Sequence, residues 1–339
     1  MNTRIIAFII IGLCLFSILV GTVNTIVTPK KEKVETTRES SNFFGVSSGN
    51  KIALITLQGP ISYESSGGIL GEITSAESVL KSLRKALKDD SVKGVLLRVD
   101  SPGGTVAMSQ ELYDTILRLR KEKPVVVSMV DLAASGGYYI SSAADRIFAE
   151  PGTLTGSIGV IINTFNVQEL LNQKLGIKAN VIKSGKYKDL ASPYRAISPD
   201  ERDLLQNIIN STYQQFVNAI IEGRVKRTDK YNVKRTDLTI ATLKKYADGR
   251  IFTGEQAVTY GFADQLGGLY DSHEAITIMA KSKFKGLRGE IPLVQYNMPS
   301  GLGGMLFGIT ESVFPKKDIA SSLVPLSTKF PRQPLFMWE

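Results

Sequence analysis

Three glycine-marked segments hold residues whose types and spacing suit nucleophilic chemistry. The first reads Asp100-Ser101-Pro102-Gly103-Gly104, between an apolar run at 95–99 and an amphipathic stretch containing Met108. Two glycines at a strand-to-helix turn let backbone N–H groups converge without Cβ obstruction, at the positive end of a helix, which suits a developing oxyanion. A tight turn that merely needs positive φ would use the same residues. The second segment, Ala133-Ala134-Ser135-Gly136-Gly137-Tyr138-Tyr139, follows the apolar run 125–130. A serine among small residues there can be held with the next amide beside its hydroxyl, as a serine nucleophile requires, although the strict G-x-S-x-G elbow is absent. Close packing at a helix start is the plainer reading. The third, Lys183-Ser184-Gly185-Lys186-Tyr187-Lys188-Asp189, lacks the spacing of a phosphate loop. A lysine replaces histidine as general base only where burial lowers its pKa from about 10.4 towards 7–8, at a cost of roughly 3–4 kcal/mol. Most lysines simply face water.

Scarcity narrows the chemistry further. Among 339 residues there is one histidine, His273, and one cysteine, Cys14, in an apolar N-terminal run. That leaves no disulfide framework, no plausible cysteine nucleophile and no His/Cys cluster for zinc or copper. A carboxylate-only Mg²⁺ or Ca²⁺ site is the most metal chemistry that remains, and no cofactor is expected. A Ser-His-Asp hydrolase would need His273 as its base, yet His273 reads as a partly exposed residue capping the start of a C-terminal helix. The chain carries 41 Lys plus Arg against 32 Asp plus Glu, a net charge of +9 spread along its length. With no dense basic block interleaved with aromatics, an anionic membrane surface accounts for that charge at least as well as nucleic acid does. No nucleic-acid partner is expected.

Alternating strands and helices must hold these segments. Residues 52–57, 95–99, 125–130, 146–149, 158–162 and 179–182 are short apolar runs, mostly rich in branched side chains, and read as buried strands. Thr74 and Glu77 form a capping box ahead of Val79, Leu80, Leu83 and Leu87, which share one helical face. Met108, Leu112, Ile116 and Leu119 repeat the spacing up to Pro124. The best-marked helix starts at Ser198, with Pro199 in its first position and Glu201 completing a capping box, and runs to Gly223. This alternation predicts an α/β fold, a largely parallel sheet covered by helices.

Residues 5–23 carry no charge, and at 1.5 Å per residue they reach roughly 28 Å, about one hydrocarbon thickness. A cleaved signal peptide has a shorter apolar region and an A-x-A-like site, which is not seen. Residues 1–27 are therefore read as a single transmembrane helix serving as anchor. Residues 28–50 read as a flexible tether with an end-to-end distance on the order of 25 Å. Residues 51–285 form the folded domain. Residues 286–339 form a tail, glycine-rich at 300–308 and holding the only tryptophan, that could pack on a neighbouring subunit or rest in a groove. Basic residues flank the apolar run on both sides, so charge leaves orientation open.

In this order, D-S-P-G-G, A-S-G-G-Y-Y, T-G-S-I-G-V and K-S-G-x-Y-K-D behind an N-terminal anchor resemble the signal peptide peptidase A family. These are bacterial membrane-bound serine proteases with a Clp-protease/crotonase-like fold, and the similarity covers about residues 50–285. The resemblance implies that Ser135 is the nucleophile of a serine endopeptidase and Lys188, rather than Lys183 or Lys186, its general base. It implies that Ser157 hydrogen-bonds that lysine and that the Gly104 and Gly136 amides form the oxyanion hole. Its implied substrates are remnant signal peptides and other apolar peptides; its implied location is the cell membrane, single-pass, with the catalytic domain extracytoplasmic. One copy of each motif resembles the family's short form, whose members assemble as homo-oligomeric rings with serine and lysine from adjacent subunits. Three other readings stay open: a related membrane protease acting on membrane proteins, a crotonase-type acyl-CoA enzyme, and a catalytically silent scaffold.

Overall fold

Branched apolar residues favour extended backbone on a buried pleated surface, and the runs at 52–57 and 95–99 form the middle of the sheet. The computed structural model describes residues 49–63, 75–228, 230–296 and 335–337, the last as backbone alone. In it, β1 (Lys51–Gln58) lies parallel to β2 (Val92–Ser101), with Ile55 opposite Leu97. A short β3 (Gly103–Thr105) follows, and β2 lies parallel to β4 (Val125–Ala134). Along its other edge β4 pairs first with β5 (Arg146–Ala149) and then, from Leu132, with β6 (Leu154–Gly156). β7 (Ile251–Thr253) is antiparallel to β6, while β8 (Gln265–Leu266) and β9 (Leu293–Gln295) lie parallel to β5 and β1. The result among the described residues is an eight-stranded sheet, parallel except at β7. A separate strand, β10 (Leu335–Met337), is antiparallel to β3.

Helices cover both faces, as a parallel sheet requires. α1 (Ala76–Lys88), α2 (Val106–Glu122), α3 (Gly136–Ser141), α4 (Pro199–Ile220), α5 (Ile240–Tyr246) and α6 (Gly254–Tyr260) contribute to the larger core. There Leu83, Leu112 and Ile116 meet Ile55, Leu97 and Val127. α7 (Leu269–Lys283) closes the opposite face, where Ile276 and Met279 join Ile52, Leu96, Val126 and Phe148. Each fully buried side chain of this size contributes about 1.5–3 kcal/mol.

Several elements differ from expectation. The capping residue of α1 is Ser75, whose side chain accepts the Ser78 N–H at 3.2 Å; Thr74 lies outside the described residues. The strand expected at 158–162 lies instead at Leu154–Gly156, because positive φ at Gly156 (84°) and Ser157 (51°) turns the chain away from the ladder. Residues 179–182 form no strand and among the described residues have no neighbouring strand to pair with; Val181 and Ile182 face solvent. Apolar character alone does not supply a ladder partner. The capping box at Ser198 is present, but the helix passes Gly223 as a π-helical turn (Ile221–Val225). His273 sits inside α7, half-buried, with Nε2 3.0 Å from the Ile291 carbonyl oxygen. The anchor expected at 1–27 lies outside the described residues, as does the tether apart from its last two residues. Among the described residues no helix is long and apolar enough to cross a membrane.

Candidate active site

β4 and α3 meet at Ser135 without an intervening loop, which forces a sharp reversal. Ser135 adopts φ 52°, ψ −114°, a region side-chain-bearing residues rarely enter and one that costs on the order of 1–3 kcal/mol. Two backbone hydrogen bonds hold it there: its N–H donates to the Gly156 carbonyl and its carbonyl accepts from Tyr139, both at 2.8 Å. The rings that follow anchor α3. The Tyr138 hydroxyl donates to the Phe262 carbonyl at 3.0 Å, and Tyr139 packs against Tyr113 and Phe216. Ser135 is 0 % exposed, and among the described residues its Oγ has no hydrogen-bond partner. A buried hydroxyl left unpaired sacrifices about 1–3 kcal/mol.

The two glycine segments are in direct contact. A Cβ on Gly136 would lie 3.1 Å from the Gly104 nitrogen and 2.7 Å from Ser109 Oγ; one on Gly104 would lie 2.0 Å from the Ile61 carbonyl oxygen. Only residues without side chains allow this approach. The turn before Gly104 is fixed by Ser101, fully buried, whose Oγ accepts the Gly103 N–H at 3.1 Å. Sequence reasoning gave Ser101 no role; its place two residues ahead of a glycine pair was the available sign.

Ser157 comes to the same place by a different route. Ala134 is the register partner of Gly156, so Ser135 and Ser157 each follow the last residue of adjacent parallel strands, and both have φ near 50°. Ser157 is buried, and its N–H donates to the Arg250 carbonyl at 2.8 Å. Lys188 is exposed in the connection between β6 and α4, its N–H bonded to the Gly185 carbonyl at 3.1 Å, and no hydrogen bond or ion pair among the described residues joins it to Ser135 or Ser157.

The profile of Peptidase family S49 matches residues 118–283 and that of Clp protease residues 69–153. A protein named as a signal peptide peptidase, SppA, in Enterococcus faecium is 36% identical over 290 residues, which span 80% of this chain and 78% of that one. A protein named as a protease in Methanocaldococcus jannaschii is 37% identical over 287 residues, spanning 80% of this chain and 87% of that one. This chain belongs to peptidase family S49. The chloroplastic serine protease SPPA of Arabidopsis thaliana is 34% identical over 245 residues, spanning 72% of this chain and 34% of the plant protein. Family S49 membership makes the chain a serine peptidase, a hydrolase, and sets aside the acyl-CoA enzyme considered above.

In this S49 peptidase a set of ion pairs that sequence reasoning missed organises the turn bearing Lys188. Asp189, the next residue, accepts two hydrogen bonds from Arg195 at 2.8 Å each, and Arg195 also donates to Glu201 at 2.7 Å. Glu201 is the residue that completes the capping box of α4, so the turn is tied to the start of that helix. Lys186 pairs with Asp200 there as well. The Arg195 hydrogen bonds, then Lys183, hold the Asp189 carboxyl well below the usual carboxylate range. Arg195, then the Ser198 N–H, bring Glu201 down to about 2. The same connection exposes Phe165, Leu175, Ile177, Val181, Ile182 and Tyr187.

Proposed function

We propose that this S49 peptidase is a membrane-anchored endopeptidase that degrades remnant signal peptides and other apolar peptides, with a Ser135/Lys188 dyad assembled between adjacent subunits of a homo-oligomeric ring. The observation that carries the reading is the buried, unpartnered Oγ of Ser135 in a strained backbone, packed beside Gly104 and Gly136. The ring reading is supported by the exposed apolar connection that carries Lys188: docking it on a second copy would bury those side chains and bring an amine to a serine that lacks one. Residues 1–27 would serve as the anchor and 28–50 as the tether, keeping residues 51–285 at the membrane surface where apolar peptides emerge. In this reading the catalytic domain is extracytoplasmic.

In the reaction, Ser135 Oγ attacks the peptide carbonyl while its proton passes to the Lys188 amine of the neighbouring subunit. The Gly104 and Gly136 amides donate to the oxyanion of the tetrahedral intermediate, and Ser157 orients the lysine. Collapse breaks the C–N bond, and Lys188 hands its proton to the leaving amine. Water then attacks the acyl-enzyme, giving its proton to Lys188, and Ser135 recovers a proton as the acid product departs. His273 has no part in this cycle. The test is hydrolysis of an apolar signal peptide by purified variants: Ser135→Ala and Lys188→Ala should each abolish it, and His273→Ala should leave it intact. Cleavage retained by Lys188→Ala would overturn the base assignment.

A further inference from the structure

β4 changes neighbours just before Ser135, through an irregular stretch. Val95 to Val99 of β2 lie opposite Val125 to Met129, yet Ser101 lies opposite Ala133, so Val130, Asp131 and Leu132 face Asp100 alone. On its other edge β4 leaves β5 after Met129 and joins β6 from Leu132. Unbroken pairing would set Asp131 opposite Ser101. The two extra residues draw Ser135 back by about 7 Å along the strand, at about 3.3 Å per residue. As a result Gly136, rather than Ala134, meets Gly104. Such an excursion takes backbone groups out of the ladder, and inside a protein they need other partners. Asp100 Oδ1 accepts the Leu132 N–H at 3.2 Å, and Thr153 Oγ1 donates to the Val130 carbonyl at 2.6 Å. Thr155, two residues on, donates to the Ala133 carbonyl at 2.6 Å. Both threonines are buried.

We infer that Asp100 and Thr153 are positioning residues for the peptidase reaction: they pin the excursion in β4 and so fix where Ser135 Oγ stands against the Gly104 and Gly136 amides. The role rests on the proposed part of Ser135 as nucleophile, and both residues act through the backbone of β4. Asp100 is itself held from the other side, its carbonyl accepting the Gly59 N–H at 2.8 Å. It directly precedes Ser101, whose Oγ accepts the Gly103 N–H. Two consecutive side chains of β2 thus set the strand that ends at Ser135 and the turn that leads to Gly104. Thr153 is tied to the turn after β5, its N–H donating to the Glu150 carbonyl at 3.0 Å. Asp100 serves here as an acceptor and Thr153 as a donor, so a neutral amide oxygen and a serine hydroxyl in the same places do the same work. Attack geometry tolerates little error, and a misplacement of about 1 Å costs about 10²-fold in rate.

The experiment compares the full-length chain with Asp100→Ala, Asp100→Asn, Thr153→Val and Thr153→Ser. Hydrolysis of an apolar signal peptide gives kcat and KM, fluorophosphonate labelling reports on Ser135 separately, and hydrogen–deuterium exchange follows residues 130–136. Asp100→Ala and Thr153→Val should each lower kcat and the labelling rate by about 10- to 100-fold, with KM changed by less than about threefold. Exchange at 130–136 should quicken in both, while that of β1 stays as in the wild type. Asp100→Asn and Thr153→Ser should recover to within about threefold of the wild type, Asp100→Asn with an unshifted pH profile. Wild-type kcat in Asp100→Ala and Thr153→Val overturns the inference. So does an Asp100→Asn as slow as Asp100→Ala, which would make the carboxylate charge the working feature. If the wild-type chain neither labels nor hydrolyses peptide, the proposed function fails. Exchange at 130–136 then still decides the pinning: quickened by Asp100→Ala and Thr153→Val it upholds it, unchanged it overturns it. Should Asp100→Ala fold poorly, Thr153→Val and Thr153→Ser carry the comparison.

Discussion

The N–H of Ser135 donates to the carbonyl of Gly156 at 2.8 Å, which locks the ends of two parallel strands together and sets Ser135 beside Ser157. Both residues take up a left-handed φ at that point. The strain at Ser135 separates its chemical role from its structural one. Ser135→Ala should lose fluorophosphonate labelling and at least about 10³-fold in hydrolysis, the scale seen when a serine peptidase loses its nucleophile. Ser135→Gly should be equally inactive yet more stable than Ser135→Ala by about 1 kcal/mol, since glycine accepts positive φ without penalty. Matched urea midpoints for the two variants would count against a strained backbone.

Gly104 makes the reverse prediction. A Cβ there would lie 2.0 Å from the Ile61 carbonyl oxygen, so Gly104→Ala must push β3 away from Ile61 and shift the Gly104 amide. Loss of one oxyanion donor costs about 10²–10³ in kcat. Gly104→Ala should show a fall of that order in kcat with KM changed much less. A proportionate rise in KM alone would argue that Gly104 only shapes peptide binding.

Because the proposed dyad pairs Ser135 of one subunit with Lys188 of the next, inactive variants should rescue one another. Ser135→Ala and Lys188→Ala, dissociated and mixed, should regain up to about a quarter of wild-type activity per site, from interfaces that pair an intact serine with an intact lysine. Recovery no greater than the sum of the separate variants would place the dyad within a single chain.

Arg195 links the Lys188 turn to α4 through Asp189 and Glu201. Arg195→Ala should lower kcat by roughly tenfold or more through misplacement of the lysine, while Arg195→Lys, which keeps charge but loses the two-pronged geometry, should fall between. Arg195 is half-buried and its partner Glu201 buried, so fluorescence-monitored unfolding should register a modest loss in Arg195→Ala that Arg195→Lys largely restores. A large drop in stability without a kcat effect would assign Arg195 to folding.

Two buried carboxyls set the pH dependence of stability in opposite directions. Burial pushes Asp145 up to about 6, against the pull of the Val125 N–H and of Arg120, Arg146 and Arg227. The folded chain then binds a proton there more tightly than the unfolded chain, so this group adds stability as pH falls from about 6 towards 4. Burial alone would raise Asp264 as well, but Arg224 and Arg227 bring it down to about 2. Its contribution is present above about pH 4 and is lost as pH falls through 2. Urea unfolding should therefore show a gain of up to roughly 2–3 kcal/mol between pH 7 and 4.5 that Asp145→Asn abolishes. At pH 7, Asp264→Asn should lose about 3–5 kcal/mol, having left two arginines unpaired in the interior. An unchanged slope in Asp145→Asn would remove that carboxyl as its source.

Local chemistry was legible where its cause is local. The branched runs at 52–57, 95–99 and 146–149, and the Ser198-Pro199-Glu201 helix start, became the elements their spacing predicted. Residues 158–162 and 179–182 did not, because strand formation needs a neighbour to pair with, which a sequence window does not contain. The glycine pair at 103–104 and the small residues around 135 announced a tight approach, and family S49 membership agrees with the motifs they carry.

Tertiary structure alone decided which groups meet. Two strands far apart in sequence must lie side by side before Ser135 and Ser157 share a ledge. Gly104 touches Gly136 only because β3 and α3 pack together, and Leu335–Met337 pairs with β3 in a register that no residue pattern specifies. The exposure of Lys188 was equally invisible, for spacing along a chain carries no direction in space. Side-chain chemistry is written residue by residue, whereas proximity arises from how the whole sheet buries its apolar faces.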